Sequence, residues 1–190
     1  MKYIFLSVFL LIALYSCNNS TTGEPTVAAS SVQPVDTTQA EAIEPEPVPA
    51  PSVSGATSVL PSFRMANANN QIIDLLQFKG KKVFVNLWAT WCPPCRAEIP
   101  SIESLGAKVD KTKAEFVMLS LDENFEKAKN YSVSNNMKLP VYYPAANLPP
   151  LFTVDGIPVT YIFNEKGEII YQQVGSANYD TKEFADMMNK

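Results

Sequence analysis

A mixed β-sheet flanked by helices, an α/β fold, is the architecture this sequence leads one to expect for residues 59–190. Three observations point to it. The first is a pair of almost continuously apolar runs, Lys81 to Trp88 and Glu115 to Leu121, of the kind found in strands buried on both faces. The second is the helix-suited chain that follows each run. The third is a final pair of strand-like runs, Val159 to Phe163 and Glu168 to Val174, joined by Asn164-Glu165-Lys166-Gly167 as a hairpin. Strand, helix, strand, helix, then a hairpin and a last helix make one mixed sheet with helices packed on it. The region spans roughly 130 residues, enough for one domain with its own core, and it carries no internal repeat.

The elements follow in order. Phe63 to Met65 and Gln71 to Leu75 read as short strands around the turn-rich link Ala66-Asn67-Ala68-Asn69-Asn70. A helix is expected to start at Cys92 or Pro93, because proline is tolerated in a first helical turn, and to run to about Val109. Pro100 lies inside it, removes one backbone donor and predicts a kink. Glu123 to Ser134 suits a second helix, Leu139 to Tyr143 a short strand, and Ala145 to Phe152 a loop or short helix broken by Pro149-Pro150. Asp180 to Asn189 closes the chain as a helix.

The chain ahead of this region has a different composition. After Lys2, the segment Tyr3 to Leu14 is apolar but shorter than the roughly 20 residues of a spanning helix, which suits the hydrophobic part of an export signal. It ends Leu14-Tyr15-Ser16-Cys17, and a small residue before Cys resembles a bacterial lipoprotein signal. That resemblance implies a signal peptide over residues 1–16 and a lipidated Cys17 as the mature N-terminus. An ordinary export signal with an incidental Cys is the alternative. Residues 17–58 then form a tether rich in Pro, Ser, Thr, Ala and Glu, with no aromatic residue and too little apolar surface to offset chain entropy. Such a chain spans on the order of 35 Å, and more where proline stiffens it. It holds Glu24, Asp36, Glu41, Glu44 and Glu46 and no Lys or Arg; with Lys2 ahead of it and a charge-balanced remainder, this acidic tether accounts for the chain's net charge of −4. Neither part has a basic patch suited to nucleic acid.

Chemistry concentrates in Trp91-Cys92-Pro93-Pro94-Cys95, placed between a strand and a helix. A C-x-x-C there reads as a dithiol that cycles with a disulfide. Cys92, at the helix N-terminus, is the expected nucleophile, since the helix dipole and free N–H groups favour a thiolate and lower its pKa below about 8.5. Cys95 lies one turn on, more buried, and resolves a mixed disulfide. A zinc half-site is disfavoured because the chain has no His and only one other Cys, beyond the tether. A purely structural disulfide would close too small a loop to restrict the unfolded chain much. Nothing resembling a dinucleotide fingerprint is present, so the expected cofactor is none beyond the Cys92–Cys95 disulfide itself.

The segment Asn86-Leu87-Trp88-Ala89-Thr90-Trp91-Cys92-Pro93-Pro94-Cys95-Arg96 resembles the active-site region of the thioredoxin superfamily. The nearer resemblance is to its envelope branch, the TlpA/ResA-like thiol–disulfide oxidoreductases, over roughly residues 60–190 and including Val154-Asp155-Gly156-Ile157-Pro158-Val159-Thr160. It implies a thioredoxin-like sheet with an N-terminal β-hairpin and an inserted helix–strand segment. It also implies a cis bond before Pro158, with Ile157 and Pro158 as the wall that meets an extended substrate and Trp91 shaping the contact surface. Thioredoxin carries a buried Asp on the strand entering the motif, where this chain has Asn86. In ResA-like proteins a Glu at the position of Glu98 lies near the dithiol, and the resemblance assigns Glu98 to proton transfer with Cys95. Trp88, Tyr131, Tyr142 and Tyr143 are expected to be packing residues, and Arg96 a solvated one.

The resemblance further implies a reductant of disulfides in envelope proteins on the periplasmic side of a bacterial membrane. Apocytochrome c thiols before haem attachment are one such client, and a membrane protein would supply the electrons. A thiol oxidant or isomerase of the same fold is the alternative, and a Cu(I)-binding protein using the two thiolates is another. A peroxiredoxin-like activity is disfavoured, because Val85 and Ala89 stand where that family needs Pro and Thr.

Overall fold

The computed structural model describes residues 59–190. The signal segment, Cys17 and the tether lie outside the described residues. The strands are β1 (Arg64–Asn67), β2 (Ile72–Asp74), β3 (Lys82–Trp88), β4 (Ala114–Ser120), β5 (Val141–Pro144), β6 (Val159–Phe163) and β7 (Ile169–Val174). The α-helices are α1 (Pro93–Lys108), α2 (Phe125–Ser134) and α3 (Lys182–Asn189). Short 3-10 turns cover Leu75–Phe78 and Pro150–Phe152.

All seven strands join one sheet in the order β2-β1-β5-β4-β3-β6-β7. β3 is its centre, parallel to β4 and antiparallel to β6. Every residue of β3 is buried, as its apolar run requires. The connections β3-α1-β4 and β4-α2-β5 step in the same direction across the sheet. Right-handed crossovers therefore place both helices on one face.

The core divides accordingly. On the helical face, Phe84 and Trp88 of β3 pack with Ile99, Ile102 and Leu105 of α1, Phe125 and Ala128 of α2, and Met188 of α3. On the opposite face, Val83, Val85 and Leu87 meet Leu60, Phe63, Leu75 and Phe152, so that layer is made of the N-terminal segment and the 3-10 turns. The alternation along β3 follows from the strand period of two. It also puts Asn86, between Phe84 and Trp88, on the helical face beneath α1.

Element boundaries differ from the sequence expectation chiefly at the N-terminal hairpin. Ala66 and Asn67 belong to β1 rather than to the link, pairing with Ile72 and with Tyr143 and Tyr142. The turn is tighter because the Asn67 side chain accepts the N–H groups of Asn69 and Gln71, each at 3.0 Å, and Asn70 takes a left-handed conformation at φ 61°. Phe63, expected in the strand, instead precedes it, and its carbonyl accepts Leu75 N–H at 2.9 Å. The second helix begins at Phe125 rather than Glu123, because Asn124 caps it by accepting Glu126 N–H. α1 continues through Pro100 as one helix, losing a single donor. Asp180 lies ahead of α3, whose cap is Thr181.

Phe84 sits at the midpoint of the helical-face core, 5.1 Å from the Phe116 ring and 5.2 Å from Tyr179. Phe84→Ala is expected to cost about 3–5 kcal/mol, read as a lowered midpoint in urea unfolding with little change in slope.

Candidate active site

The site forms where β3 ends and α1 begins. Cys92 is the N-cap residue of α1, and its Sγ accepts the Cys95 N–H at 3.2 Å. Pro93 and Pro94 have no N–H, so Cys95 supplies the first free donor of the helix, and that donor is aimed at Cys92 sulfur. The two cysteines are joined as a disulfide with sulfurs 2.04 Å apart. Cys92 keeps 3% of its surface accessible and Cys95 none, so a partner thiol can reach only Cys92.

The opposite wall is the turn before β6. The Ile157–Pro158 bond is cis, and Cys92 Sγ lies 3.7 Å from the Ile157 carbonyl oxygen. Pro158 is buried and Ile157 half-buried. Trp91, beside the nucleophile, is 62% exposed, and Val174 on β7 is also exposed. Val174 pairs with Val159, the residue that follows the cis-proline.

Glu98 is buried, with 3% of its surface accessible, on the α1 face it shares with Cys95. Its Oε1 accepts Asn86 Nδ2–H at 2.8 Å and its Oε2 accepts Ala177 N–H at 3.1 Å. Burial pushes its carboxyl up to about 7, against the opposing pull of those two hydrogen bonds. Among the described residues no Lys or Arg forms an ion pair with it. A carboxyl with this proton affinity, one turn from Cys95, is suited to trade a proton with a thiol near neutral pH.

A further clasp was not anticipated from the sequence. Asp122, just past the end of β4, is 2% exposed and accepts Thr90 Oγ1 at 2.6 Å, Thr90 N–H at 3.1 Å and Ser120 Oγ at 2.8 Å. It fastens the loop that carries Trp91 and Cys92 to the neighbouring strand. The available signal was an acidic residue at the carboxyl end of a parallel strand, where sites of open α/β sheets gather. Trp88 is fully buried against the Tyr131 ring at 5.5 Å, Tyr142 is buried, and Tyr143 stacks on Phe125, so these act as packing residues. Arg96 is exposed. No group of three or more potential metal ligands occurs among the described residues.

A mixed sheet whose central strand delivers a C-x-x-C disulfide to a helix start, facing a cis-proline turn, defines a thioredoxin-like thiol–disulfide oxidoreductase. The chain belongs to the Redoxin family, whose sequence pattern matches residues 53–189. It is 29% identical over 116 residues to thiol-disulfide oxidoreductase ResA of Bacillus cereus, covering 60% of this chain and 67% of that protein. It is 33% identical over 118 residues to thioredoxin-like protein YneN of Bacillus subtilis, covering 61% and 69%. Among solved structures, a putative thiol-disulfide oxidoreductase from Bacteroides vulgatus superposes with a TM-score of 0.58 at 26% identity, covering 70% of this chain and 97% of that one. A putative thiol:disulfide interchange protein DsbE from Chlorobium tepidum shares the fold, with a TM-score of 0.60 at 24% identity, covering 68% and 92%.

Glu98 binds its proton more tightly folded than unfolded, so between about 4.5 and about 7 the folded state holds more protons. Stability of the oxidised protein is therefore expected to fall as pH rises through that window. Thermal unfolding across pH should show this slope, and Glu98→Gln should flatten it.

Proposed function

We propose that this protein is a membrane-tethered reductant of disulfides in envelope proteins, working through Cys92, Cys95 and Glu98. The observation that carries the reading is the division of labour between the sulfurs: Cys92 accessible beside the cis-proline turn, and Cys95 enclosed one turn from a buried carboxyl. In the reduced protein the Cys95 N–H favours the Cys92 thiolate. That thiolate attacks a client disulfide. A bond forms from Cys92 sulfur to one client sulfur, and the other client sulfur leaves with the electron pair. Glu98, ionised, takes the proton from Cys95. The Cys95 thiolate then attacks Cys92 sulfur, forming the Cys92–Cys95 bond and expelling the client sulfur that was bonded to Cys92 as a thiolate. Two electrons have passed to the client, and Glu98 holds a proton that it returns when the pair is reduced again.

Trp91, Ile157 and Pro158 are the surface an extended client segment meets. The resemblance to the ResA-type proteins supports the direction of electron flow and a role in preparing apocytochrome c thiols. Reduction of the spent disulfide is assigned to a membrane thiol donor, with Cys17 as lipid anchor and residues 17–58 as tether, facing the periplasm.

Substitution separates the roles. Cys92→Ser should abolish disulfide reductase activity. Cys95→Ser should leave Cys92 trapped in a mixed disulfide, visible by non-reducing electrophoresis and mass spectrometry. If the trapped adduct forms on Cys95 in a Cys92→Ser protein instead, the assignment is reversed. Glu98→Gln is expected to slow turnover by about 10²-fold or more near neutral pH, the usual yield of positioned acid–base catalysis.

A further inference from the structure

The carboxyl of Glu98 does not stand alone. Asn86 and Thr160 are directly opposed across β3 and β6, both fully buried, beneath α1. Asn86 spends both amide hydrogens there, one on Glu98 Oε1 at 2.8 Å and one on Thr160 Oγ1 at 2.9 Å. Its Oδ1 has no hydrogen-bond partner. A buried amide oxygen left without a donor is costly, of the order of a lost hydrogen bond. In this orientation both amide hydrogens reach acceptors, and Oδ1 alone goes without a partner. The orientation is thus fixed by its two acceptors, and the orphaned oxygen is tolerated because the donor end is needed by the carboxylate.

We propose that Asn86 is a positioning residue for the proton carrier: by giving one amide hydrogen to Glu98 and the other to Thr160, it fixes the carboxyl one turn from Cys95 and sets how tightly that carboxyl holds its proton. This rests on the reading of Glu98 as the group that exchanges a proton with Cys95. The amide hydrogen bond favours the ionised form, so it tempers the opposing effect of burial. The other titratable groups near Glu98 are few. Cys92 and Cys95 lie at the start of its own helix, with exposed Arg96 between them and Glu98. Tyr171 on β7 and Tyr179 ahead of α3 sense its charge, and burial holds both phenols above their ordinary range, so they stay neutral where Glu98 titrates. Glu183 on α3 acts on Tyr171.

The test is to follow the Glu98 carboxyl by carbon NMR in the oxidised full-length protein with labelled glutamate, using Glu98→Gln to identify its signal. In Asn86→Leu the ionised form loses a donor, and the midpoint should rise by about one pH unit, a tenfold gain in proton affinity. Asn86→Asp keeps the volume and serves if the leucine variant does not fold. Two carboxyls sharing one proton should then titrate in two steps, the upper one above the wild-type midpoint. A folded variant whose Glu98 titrates at the wild-type midpoint in a single step would overturn the proposal. The pH profile of thiol exchange, taken on the same proteins, reports separately on Glu98: if it stays put while the carboxyl midpoint moves, the proton-carrier role fails and the positioning by Asn86 stands.

Discussion

The site depends on β3 being buried along its full length. A strand with apolar neighbours on both faces has one register, because a slip by one residue would exchange Phe84 and Trp88 for Val85 and Leu87. That register points Asn86 at α1, opposes it to Thr160, and ends the strand where Cys92 must cap the helix. The dithiol, the buried carboxyl and the cis-proline turn are thus placed by the packing of one strand between β4 and β6.

The polar groups around the site are held by that frame and would be unfavourable without it. Glu98, Asn86 and Asp122 each bury nearly all of their surface. Asp122 and Glu98 are matched to donors, Asp122 by the Thr90 and Ser120 hydroxyls and Glu98 by Asn86 and the Ala177 N–H. Because burial disfavours charge, Glu98 has a proton affinity close to that needed for exchange with a thiol at neutral pH. The segment after β7 is tied to the same helix, since Tyr179 N–H bonds to Ser101 Oγ one turn beyond Glu98. The site is therefore continuous with the core.

Much of this was legible in the residues, for physical reasons. The runs that became β3, β4 and β6 are apolar almost without interruption, and burial is the property such runs report. Cys92, Cys95 and Pro158 sit in a pattern specific enough to carry the fold. The hairpin β1–β2 was harder to bound, because its limits are set by the Asn67 side chain closing the turn and by pairing of β1 with β5, distant in sequence. The Asp122 clasp and the Asn86–Thr160 pair were hidden for the same reason: a hydrogen bond between residues tens of positions apart leaves no periodic trace. A helical layer on one face with 3-10 turns on the other could be assigned only once strand order was known.

In the proposed cycle, Cys92 and Cys95 carry two electrons between a donor and a client. Titrating the full-length protein against redox buffers, with free thiols read by alkylation, tests it most directly. One reversible two-electron transition is expected near or below about −230 mV, in the range of thioredoxin-like reductants. A transition near about −120 mV would reverse the direction of electron flow, and the absence of any reversible transition would contradict the account.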